Sequence, residues 1–145
     1  MNILSYFHEK LNEKKVRRAY KQRLQKLRLQ FPIFCKVHAV KSADHQGALA
    51  QSRAGDGLQL VHVPTEAYPF GVCVYSIPLN RLLGFLDAKL SEKLVYAFGE
   101  GFCRDGEIEE ITGGPPYKYY GCNLRVLDTQ ELLNGEDLQH LHSDQ

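Results

Sequence analysis

The sequence changes character at Pro32. Residues 1–31 contain neither glycine nor proline and are rich in Leu, Lys, Arg, Gln and Glu, all good helix formers. From Pro32 onward glycine and proline recur, and the apolar residues alternate in short runs. A chain so divided reads as one helix followed by a short-stranded β domain. Pro32 biases Phe31 away from helical geometry, which gives the helix a natural stop.

At ~100° per residue, Leu4, Phe7 and Leu11 share one face of that helix, whereas Val16, Tyr20, Leu24 and Leu27 share nearly the opposite one. The apolar stripe therefore switches sides over residues 12–15. Two readings fit: a helix broken near Asn12, or one straight helix gripped by different surfaces at its two ends. In either, Lys10, Lys14, Arg17, Lys21 and Arg28 line one flank. They are either the wet side of a packed amphipathic helix or phosphate contacts, which position a nucleic acid without reading its sequence. An interfacial membrane helix asks for a cleaner apolar face, so no membrane is expected.

The overall charge of +1 hides an asymmetry. Residues 1–30 carry nine Lys and Arg against Glu9 and Glu13, a net +7, while the remainder has nine basic and fifteen acidic residues, a net −6. Such a basic arm points to nucleic acid or to an acidic partner.

After Pro32, Cys35, Val37 and Ala39 alternate with Lys36, His38 and Val40. Leu58, Leu60 and Val63 lie between Gly55-Asp56-Gly57 and Pro64, and segments 72–77, 82–86, 107–111 and 122–127 complete six short strands. Short strands separated by Gly, Pro and Asp favour a barrel or sandwich over a βαβ sheet. One helix is expected among them. Asp87 is a fitting N-cap, Leu90, Leu94 and Phe98 share a face, and Gly99 and Gly101 offer stops. Residues 129–145 read as an acidic tail with a short helix at 130–133.

A chain of 145 residues suits one core. No apolar run approaches the ~20 residues that span a bilayer, and residues 1–7 lack signal-peptide character. An intracellular protein is the expectation. Cys35, Cys73, Cys103 and Cys122 are scattered without a Cys-x-x-Cys pair, which favours reduced thiols, and Cys73 and Cys122 fall in apolar strands as small core residues. His140 and His142 lack a third ligand at a metal-binding spacing. Neither metal nor cofactor is expected. Catalytic motifs are missing too: no nucleophile elbow, no phosphate-cradling loop, and Glu109-Glu110 should alternate faces in a strand. The expectation is a protein that is not an enzyme.

One order of segments is more specific. A Gly55-Asp56 turn leads into an apolar strand, a Tyr68 loop and a second strand at 72–75. Leu83-Gly84-Phe85-Leu86, a helix-like segment 91–98, Gly101, a strand at 107–111 and Gly121-Cys122-Asn123-Leu124-Arg125-Val126 follow. Over residues 34–127 this resembles the HIRAN domain, a small module found in some DNA-repair helicase-type proteins and as a free-standing protein. The resemblance implies a fold that is mostly β with α: an OB-like or SH3-like six-stranded β-barrel with one inserted helix, here behind an N-terminal amphipathic helix. It divides the chain into helix 1–31, barrel 32–128 and tail 129–145.

The resemblance also implies a pocket for the 3′ end of single-stranded DNA. Lys41 keeps the family's cation, while Ser42 stands where a stacking ring is expected. Tyr68 keeps the aromatic residue of the next loop, but Pro69 replaces a hydroxyl-binding Asp and offers no side-chain acceptor. Phe85 stands where the family can place a His or an aromatic. Tyr117, Tyr119 and Tyr120 around Lys118 suit base stacking and phosphate contact, or equally a cap of apolar ring bodies with wet hydroxyls. The expected function is non-enzymatic binding of single-stranded or damaged DNA, with RNA as a second ligand and end-reading weakened. The alternative is an adaptor that docks a protein partner through the basic helix or the barrel surface.

Overall fold

A computed structural model describes residues 2–128, so the expected tail helix and the histidine pair lie outside the described residues. The chain forms two compact units, Met1–Gln30 and Phe31–Gln145.

The first unit is a single helix, α1 (Ile3–Leu27). It runs without a break through Asn12, which decides between the two readings of the stripe. The Asn2 side chain caps it by accepting from the Leu4 N–H at 3.1 Å, satisfying one of the donors that every helix start leaves open. The helix ends short of the expected stop at Phe31. Arg28 adopts a left-handed conformation, φ 57°, and the Leu29 N–H reaches back to the Leu24 carbonyl at 2.9 Å. This terminal hydrogen-bond pattern closes the helix before proline is reached.

The second unit is built on six antiparallel strands: β1 (Ile33–Lys36), β2 (Gly57–His62), β3 (Val72–Ser76), β4 (Arg81–Phe85), β5 (Cys103–Gly113) and β6 (Tyr120–Val126). Their order is β1-β6-β5-β2-β3-β4. The sheet curls until its two end strands meet. His38, just past β1, exchanges both backbone hydrogen bonds with Phe85 of β4, at 2.7 and 3.0 Å. Gly84 makes that meeting possible, because a Cβ there would collide with the His38 carbonyl oxygen and the Val37 side chain. The result is the expected small six-stranded barrel, joined along its seam at one bridge.

Leu58, Leu60, Val72, Val74, Leu83, Ile108, Leu124 and Val126 fill the interior. Each apolar side chain of this size contributes about 1.5–3 kcal/mol when fully buried. Two helices complete the core, one more than the sequence suggested. Helix α2 (Ala43–Ala50) packs on β4 and β6 and buries Ala48 and Leu49. Helix α3 (Ala88–Phe98) starts on the Asp87 cap, whose carboxylate accepts from Leu90 N–H at 3.2 Å, and buries Leu94, Val95 and Ala97.

A bulge between Ile108 and Glu110 breaks strict alternation in β5, so Glu109 and Glu110 are both exposed rather than on opposite faces. The four cysteines are free, with Cys73 and Cys122 buried. Burial pushes the thiols of Cys35 and Cys122 up to about 12, helped for Cys35 by the nearby Asp87 carboxylate and for Cys122 by the repulsion that ionising both neighbouring thiols would bring. No described helix is long and apolar enough to cross a membrane.

Candidate nucleic-acid interface

The chain leaves β1 through the bridge at His38, turns at Ala39 with φ 58°, and enters α2 at Ser42. Ser42 is the helix cap: its hydroxyl accepts from the His45 N–H at 3.2 Å. That local duty explains a serine at this position. His45 Nδ1 donates to the Ala39 carbonyl at 2.6 Å. One turn on, Gln46 Nε2 donates to the carbonyls of Val40 (2.8 Å) and Tyr120 (3.0 Å), while its Oε1 accepts from the Tyr120 N–H at 2.8 Å. A single side chain thus pins the β1–α2 turn to the β5–β6 hairpin.

The hairpin loop is shaped by Gly113 and Gly114, at φ 72° and 79°, a left-handed region where side chains are disfavoured. A Cβ on Gly114 would strike the Tyr120 ring. The turn is held by Gly114 N–H to the Tyr119 carbonyl (3.1 Å) and Tyr117 N–H to the Gly114 carbonyl (2.6 Å). With turn and hairpin pinned together, Lys41 and Lys118 each approach the Tyr119 ring. Their Nζ atoms lie 5.4 and 5.3 Å from the Tyr119 centroid, within the ~6 Å at which a ring face attracts a cation. Among the described residues neither lysine joins a salt bridge. Tyr117, 72% exposed, stands beside them in sequence as a free ring face.

Phe85 closes the barrel through its backbone and leaves its ring 37% exposed, edge-on to His45 with centroids 6.4 Å apart. Tyr68 is 71% exposed in the β2–β3 loop, where Thr65 Oγ1 accepts from its N–H at 3.0 Å. No ring, cation or hydrogen-bond contact joins Tyr68 to Lys41, Phe85 or the hairpin, so the structure does not assemble the expected pocket as one group. Pro69 serves the fold: its carbonyl accepts from buried His62 Nε2 at 2.9 Å, and His62 Nδ1 accepts from Gly101 N–H at 2.8 Å. Lys10, Lys14, Arg17, Lys21 and Arg28 belong to the other unit and are exposed. Lys10 is engaged locally, 4.0 Å from Glu13 and 5.7 Å from the Tyr6 centroid.

Reasoning from sequence overlooked His45, Gln46 and α2 itself. The signal for the helix was present: Ser42 as a cap, Asp44 in the first turn, and alanines at 43, 48 and 50. Elsewhere on the barrel, Gln59, Val61, Tyr75, Ser76, Ile77 and Asn80 line an open hollow that includes none of the expected site residues. Cys73 beside it raises the Tyr75 phenol above its ordinary range, and burial adds to the effect. Among the described residues no three His, Cys, Asp or Glu side chains gather to hold a metal ion. No protein-family profile matches this chain, no curated protein is significantly similar to it, and no solved structure is significantly similar to its fold.

Proposed function

We propose that the protein is a non-enzymatic binder of single-stranded nucleic acid, DNA before RNA, and that the joined β1–α2 turn and β5–β6 hairpin form its binding surface. One observation carries the reading: two ammonium groups, unpaired among the described residues, share the Tyr119 ring beside the exposed Tyr117. A phosphate that approaches either lysine gains a charge-assisted hydrogen bond. A base stacked on Tyr117 adds about 1–3 kcal/mol without regard to sequence. Phe85 offers a second apolar ring on the neighbouring seam. The cations of α1, Lys14, Arg17 and Lys21 among them, add phosphate attraction that falls with salt.

Discrimination of the 3′ end is weak in this reading. The resemblance to HIRAN domains implies a carboxylate where Pro69 stands, and a charged acceptor for a buried hydroxyl contributes about 1.5–3 kcal/mol. Oligonucleotides ending in a 3′-hydroxyl and in a 3′-phosphate are therefore expected to bind within about threefold of each other. Anisotropy titrations of the two labelled strands decide the point; a preference of fiftyfold for the hydroxyl end would contradict it. An adaptor, the competing expectation, would leave oligonucleotide affinity negligible at low salt and unmoved by Tyr117→Ala.

A further inference from the structure

Ile3, Leu4, Phe7 and Leu11 of α1 are 57–75% exposed. Because the helix runs unbroken, the arc they occupy continues into Lys14, Lys15, Arg18 and Lys21. At ~100° per residue all eight side chains fall within roughly 120°. Glu9 and Glu13, the only carboxylates of α1, fall on the far side. The apolar stripe that switches faces after Leu11 thus gives way, on its own face, to cations and not to acids. The face begins with an apolar stretch about 12 Å long and ends in a cationic one, with no carboxylate along it.

Each class of partner meets these two halves differently. A nucleic acid satisfies the cations and leaves four large apolar side chains in water. A folded protein satisfies both only with a groove shaped for Phe7 and Leu11 beside an acidic rim. An anionic bilayer surface supplies negative headgroups over hydrocarbon without any shape requirement. Phe7, Leu4 and Leu11 are residue types that fill the apolar face of such helices, and lysines there can extend their charge toward the headgroups. We infer, against the expectation from sequence that no membrane is involved, that α1 is a peripheral membrane anchor. Its apolar tip enters the headgroup–acyl boundary of an anionic bilayer, and Lys14, Lys15, Arg18 and Lys21 rest on the headgroups. The inference does not depend on what the barrel binds, but it makes lipid phosphates, in place of those of a nucleic acid, the partners of Lys14 and Lys21.

The chain contains no tryptophan, so Phe7→Trp places a single reporter at the tip. Full-length Phe7→Trp is mixed with vesicles of phosphatidylcholine alone, then with vesicles that also contain phosphatidylserine. The expected result is a blue shift of emission only with the anionic vesicles. Sedimentation of the otherwise unaltered chain should show affinity about tenfold higher for the anionic vesicles. Phe7→Glu combined with Leu11→Glu should lower that affinity about tenfold or more while circular dichroism keeps its helical signal. Emission that stays at its water position, or sedimentation unaffected by the two glutamates, would overturn the anchor and leave simple charge attraction. A blue shift produced by single-stranded oligonucleotide or polyglutamate in place of vesicles would overturn it as well.

Discussion

Tyr119 acts through the two lysines it gathers. Tyr119→Phe keeps the ring face and is expected to leave oligonucleotide affinity within about twofold, whereas Tyr119→Leu removes the cation–ring attraction, worth about 0.5–1 kcal/mol at an exposed site, for each lysine. The expected loss is about five- to thirtyfold, read by anisotropy at low salt. Lys41→Gln should also lower the slope of log affinity against log salt by about 0.7, as one phosphate contact does on a single strand; an unchanged slope would mean that Lys41 meets no phosphate. The chemical residues of this surface were legible in the sequence, Tyr117, Lys118 and Tyr119 by type and spacing and Lys41 through the resemblance alone. The residue that assembles them was not. Gln46 reaches Tyr120 across 74 positions, and no local pattern records such a pairing. Ser42 shows the converse: it departs from what the resemblance leads one to expect and has a local structural duty as a helix cap, whereas the Pro69 carbonyl that meets His62 is a main-chain group any residue would supply.

At the scale of elements, the barrel depends on its seam. Gly84→Ala forces a side chain against the His38 carbonyl and Val37, and overpacking of this kind costs typically about 1–3 kcal/mol. A fall of that size in urea-unfolding stability is expected for Gly84→Ala, with no loss for Gly47→Ala in α2, where an added Cβ meets only the Arg81 guanidinium at an ordinary contact distance of 3.6 Å. Equal losses at the two positions would remove the case for a tight seam. Strands were the most legible elements, because two-residue alternation survives in β1, β2 and β6 and turn residues punctuate the others. Alternation failed in β5, where the bulge at Glu109 inserts an extra residue and turns both glutamates outward. Helix α2 was missed because eight residues that bury only Ala48 and Leu49 present little apolar periodicity. The end of α1 was misjudged for a different reason: the Arg28 cap terminates it by backbone geometry before Pro32 acts.

For the molecule as a whole, burial of two thiols sets an alkaline limit. Cys35 and Cys122 ionise near 9.0 when unfolded and only at about 12 when folded. Their contribution is therefore fully present below pH 9 and is lost as pH rises toward 12, by about 1 kcal/mol per thiol at pH 10. Urea melts at pH 8 and pH 10 should show a smaller pH difference for Cys35→Ala combined with Cys122→Ala than for the unaltered chain. Alkylation at neutral pH should label exposed Cys103 first. The two-unit division was legible at Pro32, and so was the charge contrast between α1 and the rest. That α1 is continuous, and so presents one acid-free face, was not, because a switching stripe is equally compatible with a broken helix.

The most direct test of a nucleic-acid-binding barrel is a salt series of anisotropy titrations with labelled oligo(dT). It compares the full-length chain with Tyr117→Ala and with Lys41→Gln combined with Lys118→Gln. The account predicts a steep salt dependence for the unaltered chain, about fivefold or greater loss for Tyr117→Ala with the slope unchanged, and a slope lower by about 1.4 for the lysine pair. Identical curves for all three proteins would contradict it.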